Sequence, residues 1–165
     1  MALYFAANGA MPTTAALSPV NTTTAIKTLL QIATPSTRAI KVVEWGISFN
    51  GSAAAEPIKC ELIATDVAAT VTAHVAAGVQ PYNDPNAPAS LMTLGTSATG
   101  YTASSEGSIT ATRTGDVALV APTTSYAKMW PLGREFGVPI SRFLRVRVHA
   151  PAAVTAYTYI VWIEE

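Results

Sequence analysis

Residues 154 to 163, Val-Thr-Ala-Tyr-Thr-Tyr-Ile-Val-Trp-Ile, constrain the fold more than any other stretch of the chain. Tyr157, Tyr159, Val161 and Ile163 alternate with Ala156, Ile160 and Trp162, so a strand here carries apolar or aromatic side chains on both faces. Such a strand is either central in a layered β protein or buried by a neighbouring chain. Just before it, Leu144, Val146 and Val148 alternate with Arg145, Arg147 and His149, which reads as a one-sided strand with a wet basic face. Ala150-Pro151-Ala152-Ala153 makes the turn between the two.

The same period of two recurs upstream. Ile26, Thr28, Leu30 and Ile32 alternate with Lys27, Leu29 and Gln31 until Pro35-Ser36-Thr37 breaks the run. Next, Ala39, Val43, Trp45, Ile47 and Phe49 share one face, with Lys41 the exception, and Ile40, Val42, Glu44 and Ser48 take the other. Asn50-Gly51 tolerates positive φ and supplies turn chemistry, so this run and residues 58 to 64 are candidates for a hairpin. Further strand signals fall at residues 108 to 112, 118 to 121 and 126 to 132, where Pro131 argues for an edge or a strand end. The one helix candidate spans 66 to 78, with Asp66 as cap, Val67, Val71 and Val75 every fourth residue, and Gly78 at the close. Its β-branched content leaves a loop as the alternative.

About eight strands with no long helix describe a sandwich or jelly roll and not a βαβ sheet. A length of 165 residues fits one domain. The expected fold is therefore all-β, a jelly-roll-like antiparallel β-sandwich over residues 25 to 165. Residues 1 to 24 are read as an extended N-terminal arm: residues 6 to 24 are aperiodic and hold Gly9, Pro12 and Pro19. Leu3-Tyr4-Phe5 at its start favours docking, as a short edge strand or on a neighbouring subunit. On that reading, removal of residues 1 to 24 leaves the fold and weakens assembly.

Composition narrows function by exclusion. Half of the residues are hydrophobic and only 12% are charged. An exterior rich in Thr, Ser and Ala is easily desolvated by a partner, although a compositional habit of the genome accounts for it equally well. The balance of 10 basic and 10 acidic residues gives no clustered basic footprint for nucleic acid. No run approaches the ~20 apolar residues of a membrane-spanning helix. Leu3-Tyr4-Phe5 is too short, and lacks the preceding basic residues, for a signal peptide, so the chain reads as soluble and made in the cytoplasm.

Motifs of chemistry are sparse. Gly95-Thr96-Ser97-Ala98-Thr99 lacks the second glycine of a nucleophile elbow. His74 and His149 have no ligand or triad partner at a recognisable spacing, and each reads as an ordinary solvent-facing histidine. Cys60 shares a face with Ile58, Leu62 and Ala64 and reads as a buried, inert thiol. Asn83, Asp84 and Asn86 could offer oxygens to calcium; their simpler role is to form turns. Glu44 and Glu61 read as solvated charges on outer strand faces, and Glu164-Glu165 as a terminal pair that solvates the chain end. No catalytic residue, cofactor or metal is expected.

Trp45 and Trp162 lie in apolar runs and belong to a core. Tyr101, Tyr126 and Trp130 keep more polar company and suit an interface, or sugar stacking. The Pro/Asn-rich stretch from 80 to 105 is long for a compact domain and is the first place to seek partner contacts. Candidate interface residues are therefore Leu3, Tyr4, Phe5, Tyr82, Asn83, Asp84, Tyr101, Trp130, Arg145 and Arg147.

Four segments carry a resemblance. They are Val43 to Ala55 (VEWGISFNGSAAA), Glu61 to Asp66 (ELIATD), Pro131 to Glu135 (PLGRE) and Arg142 to Val148 (RFLRVRV). Together they resemble small structural proteins of tailed phages and prophages, of the capsid decoration (cement) type. The resemblance implies a virion protein on the capsid surface, a homo-oligomer such as a trimer, with the major capsid protein and copies of itself as partners. It carries no catalytic residues. The alternative is a glycan- or receptor-binding module on the particle surface.

Overall fold

The computed structural model describes all 165 residues and contains thirteen strands. They are β1 (Leu3–Ala7), β2 (Val20–Asn21), β3 (Lys27–Ala33), β4 (Ile40–Asn50), β5 (Ile58–Thr65), β6 (Thr70–Ala73), β7 (Gln80–Pro81), β8 (Gly100–Ser105), β9 (Thr112–Val120), β10 (Ser125–Met129), β11 (Phe136–Val138), β12 (Phe143–His149) and β13 (Thr155–Glu164). They build two antiparallel sheets that pack face to face as a β-sandwich. One sheet runs β10-β4-β13-β1-β7, with β11 also on β4 and β2 also on β13; the other runs β6-β8-β3-β12-β5-β9.

Between the sheets lies one core of 26 buried residues, with Trp45 and Trp162 fully enclosed at its centre. As its two-sided pattern requires, β13 is central, hydrogen-bonded to β4 on one side and to β1 and β2 on the other. Leu144, Val146 and Val148 of β12 point into the core opposite it.

Strict alternation mis-sorts β4, and a β-bulge is the reason. Val161 of β13 faces Glu44 while Trp162 faces Val42, so Val43 has no opposite number. Its carbonyl instead accepts a hydrogen bond from the Trp130 amide at 2.9 Å. The extra residue reverses the phase: Ile40 and Val42 point inward before it, Trp45, Ile47 and Phe49 after it. Lys41 therefore belongs to a continuous outer face and is no exception.

Three further expectations are corrected. The strands β4 and β5 lie in different sheets and do not form a hairpin, because the eleven residues of β4 are taken up by β10, β11 and β13. The segment 66–78 is no α-helix; it holds β6 and a single 3-10 turn, Ala76–Gly78, and its β-branched residues serve extended backbone. Nor do residues 1 to 24 form a separate arm. Strand β1 lies within its sheet between β13 and β7, Tyr4 and Ala6 join the core, and buried Asn8 bonds the main chain of Ala156 and Thr158. The short strand offered for Leu3-Tyr4-Phe5 is present, inside the sheet and not at its edge.

The two sheets meet at one edge through Asp116. A bulge at Gly115, where Leu62 faces Asp116 and Ile63 faces Thr114, turns the Asp116 carboxylate inward. A Cβ at Gly115 would lie 2.7 Å from the Phe136 ring, so only glycine fits the bulge as packed. Asp116 accepts hydrogen bonds from Trp45 Nε1 (3.1 Å), Tyr126 OH (2.8 Å) and Lys128 Nζ (2.9 Å), all on the opposite sheet.

Asp116→Ala strips partners from a buried indole N–H, a phenol and an ammonium, and is expected to cost about 2–4 kcal/mol; urea unfolding measures it, and a loss below about 0.5 kcal/mol would show the bridge to be dispensable. Deletion of residues 1 to 8 removes Tyr4 and Ala6 from the core and is expected to lower the thermal midpoint of the isolated protein sharply. An unchanged midpoint would show that β1 contributes nothing to the fold.

Candidate functional site

Two parts of the exterior stand out, one for its exposed apolar side chains and one for its aromatic rings. The first is a groove of about 490 Å³ on the side of β5, β9 and β12, lined among others by Ile26, Lys59, Glu61, Val117, Leu119 and His149. Val117 is 63% exposed and Leu119 is 71% exposed, both on the edge strand β9, and Ile26 is half-exposed beside them. Edge strands of soluble proteins ordinarily carry charge at such positions. Of the charges there, Glu61 is engaged by Arg147 Nε, so that pair presents little net field, while Lys59 is exposed and outside any ion pair.

The groove holds no assembled nucleophile. Burial pushes the Cys60 thiol up to about 12, so thiolate is scarce at neutral pH, and Glu61 is engaged by Arg147. Cys60 is buried and free, as its strand position indicates.

The second surface is an aromatic row on the outer face of the other sheet. The Phe5 ring stacks on Tyr82 (centroids 5.8 Å apart) and on Tyr159 (5.9 Å). Tyr159 lies over Gly46, where a Cβ would come within 2.5 Å of its ring, and its hydroxyl donates to Glu44. Burial first, and then the Glu44 carboxylate, raise the Tyr159 hydroxyl above its ordinary range. Phe5 and Tyr159 are half-buried, and Tyr82 is exposed at the end of the row.

The structure gathers four of the ten sequence candidates around this row. Leu3 donates its amide to Asn83 Oδ1 at 2.6 Å, Asn83 Nδ2 donates to the Met1 carbonyl at 3.2 Å, and Phe5 meets Tyr82. Asp84 stays outside the cluster, accepting from the Asn86 amide within its own turn. Tyr101 sits elsewhere, its ring packed edge-on against His74. Trp130, half-buried at the far edge, lies under the Lys128 ammonium at 5.1 Å.

Two of the ten are not available to a partner. Tyr4 is a core residue whose hydroxyl donates to the Pro88 carbonyl. Arg145 is completely buried, although its strand position suggests a wet face, because the segment between β5 and β9 folds over it. Its guanidinium donates to the carbonyls of Glu106 and Val67 and to the Glu106 carboxylate. Gln31, equally buried beside it, holds the Ala69 amide and carbonyl and the Ala98 carbonyl. Alternation reports which face a residue takes; it carries no signal that a remote segment covers that face.

The excursion from 80 to 105 is likewise pinned to its own domain. Glu164 accepts from Ser90 Oγ and the Leu91 amide, and Glu165 pairs with Lys41, so the two glutamates are structural and not merely solvating. His74 is also corrected: it is buried, with Nε2 donating to the Ala7 carbonyl at 2.9 Å and Gly78 against Nδ1. It ties β6 to the end of β1 across the second edge of the sandwich. No helix is long and apolar enough to cross a membrane.

Comparison of the chain with protein-family models, curated proteins and solved structures finds no match.

Burial lowers the His74 pKa, so the folded state disfavours its protonation. The unfolded chain takes up that proton near pH 6.5. Stability from this site is thus complete above about pH 6.5 and is lost as pH falls toward the lower folded value. Urea unfolding at pH 7.5 and 5.5 is expected to show a larger loss for the wild type than for His74→Gln, whose amide keeps a donor for Ala7. Equal losses would assign the acid sensitivity to other groups.

Proposed function

We propose that this chain is a non-catalytic structural protein of a phage particle, which decorates a capsid surface and stabilises it through protein–protein contacts. The observation that carries the reading is the exposure of Val117, Leu119 and Ile26 together beside a self-neutralised Arg147–Glu61 pair. A surface of that kind has little to lose on desolvation and gains by being covered. Its partners are the major capsid protein and further copies of the same chain. A protein that binds the assembled shell and not its dissociated parts stabilises the shell by mass action.

A jelly-roll assignment fits this role and is supported by strand order. The row β1-β13-β4-β10 faces the row β3-β12-β5-β9, and among these eight strands the chain changes sheet at every step except β5 to β9. That one step holds the long insertion that covers Arg145 and Gln31.

A second reading, a glycan- or receptor-binding module on the particle surface, is favoured by the aromatic row. Tyr82, Phe5 and Tyr159 form a stacked series with Asn83 and Glu44 alongside. Aromatic faces of this kind suit sugar rings as well as protein surfaces.

Light scattering of the purified protein, alone and mixed with phage shells that lack it, separates the two. The decoration reading expects a defined oligomer or stoichiometric co-sedimentation, weakened at least tenfold by Val117→Ser with Leu119→Ser while the thermal midpoint stays within a few degrees. A monomer that ignores shells and is retained on a glycan surface through Tyr82 would replace it with the second reading.

A further inference from the structure

Beyond the apolar groove, the end of the sandwich where β5 stops and β9 and β12 begin carries a charged cavity of about 300 Å³. Its lining includes Thr65, Asp66, Arg113, Pro139 and Arg142. Neither arginine belongs to an ion pair.

Both arginines are exposed, and each is anchored differently. Arg113 donates one Nη1 hydrogen bond to the Gly137 carbonyl at 2.9 Å and lies over the Phe136 ring, 5.2 Å from its centroid. Arg142 is held by its backbone: its amide donates to Thr34 Oγ1 at 2.9 Å, and its carbonyl accepts from the Thr34 amide at 2.9 Å. Ser141 just before it has φ 54°, a left-handed conformation that aims the chain into this corner, and its amide donates to the Pro35 carbonyl. The Arg142 side chain spends one Nη1 bond on the Ser141 carbonyl. A guanidinium has five N–H donors, so each arginine keeps several free.

The one carboxylate in the cavity does not neutralise them. Asp66 accepts from the Thr110 amide (3.2 Å), the Ala111 amide (3.1 Å) and the Thr110 hydroxyl, and so fastens the strand entry to β9. These bonds hold it ionised, but it makes no ion pair with either arginine, so its single charge offsets one of the two and the cavity keeps a net positive charge.

We propose that Arg113 and Arg142 form a two-arginine clamp for a carboxylate carried by a partner protein, an acidic side chain that enters the cavity between them. Forked guanidinium–carboxylate pairing gives direction as well as charge, which an apolar groove cannot supply. The partner's being a protein rests on the proposed function; the anion-binding chemistry of the clamp does not.

The test uses the full chain and an acetylated tetraglutamate peptide as probe. Heteronuclear NMR follows the Nε–H signals of Arg113 and Arg142 during titration, against sodium chloride at matched ionic strength. Saturable shifts of both signals are expected with the peptide alone. Arg142→Gln, and separately Arg113→Gln, is expected to weaken binding about tenfold or more, as loss of a charged hydrogen bond does. Arg142→Lys keeps the charge without the fork and is expected to fall between, while Lys27→Gln, opposite Val148 at the far end of β3, leaves binding unchanged. Shifts reproduced by chloride, shifts that do not saturate, or equal affinity in the glutamine variants with unaltered amide spectra would overturn the clamp. If the peptide binds as stated but the protein ignores shells, the decoration reading fails and the clamp stands. If the protein engages shells and the peptide does not bind, the clamp fails and the decoration reading stands.

Discussion

Two sheets in contact through apolar side chains alone can slide, because dispersion and burial have no direction. Asp116 removes that freedom at one edge. A carboxylate buried this deeply is tolerable only when its lone pairs are filled, and here three donors of different kinds fill them. Each donor belongs to the opposite sheet, so the requirement to satisfy one charge becomes a requirement on sheet register. Trp45 is held in a defined rotation by its indole N–H, and the remaining core packs around that ring. Burial first, and then Asp116, raise the Tyr126 hydroxyl to about 12, which keeps it a donor across the physiological range.

A different polar group governs the outer face of the second sheet. Arg145 and Gln31 are buried there because the segment between β5 and β9 needs partners for main-chain groups that are cut off from water. Glu106 completes the set by bonding the Thr28 amide and hydroxyl as well as Arg145. The same side chains that look like a wet surface in the sequence are thus the fasteners of an insertion. The insertion leaves the neighbouring part of that sheet uncovered, and that is where Val117 and Leu119 stand exposed.

What the sequence disclosed and what it hid divide along a physical line. Local period and turn chemistry identified the strands around Trp45, Leu144 and Ile160, the single core and the inert Cys60, since these depend on neighbours along the chain. Nothing in Val42-Val43-Glu44 states that one residue goes unopposed, and Gly115 is the one local sign of the bulge before Asp116, yet both bulges decide which side chains face inward. Cover by distant segments was equally hidden, which is why Arg145 and His74 were expected in water. Of the candidate contact residues, Leu3, Phe5, Tyr82 and Asn83 were placed together by the fold, though they are separated by about eighty residues in sequence. The exposed pair on β9 has no sign of exposure in the sequence, because Val117 and Leu119 look like ordinary core residues when read along a strand.

The pairing of β1 with β13, from Leu3 opposite Ile163 to Ala7 opposite Tyr159, has a kinetic side. These contacts join positions separated by nearly the whole chain, so their loop-closure cost is among the largest the molecule faces. During synthesis β1 emerges well before its partner β13. The first sheet therefore stays open on the ribosome, with Tyr4 and Ala6 lacking their binding site, until β13 has been made. The interval before β13 is available is when the unpaired strands are most exposed to aggregation.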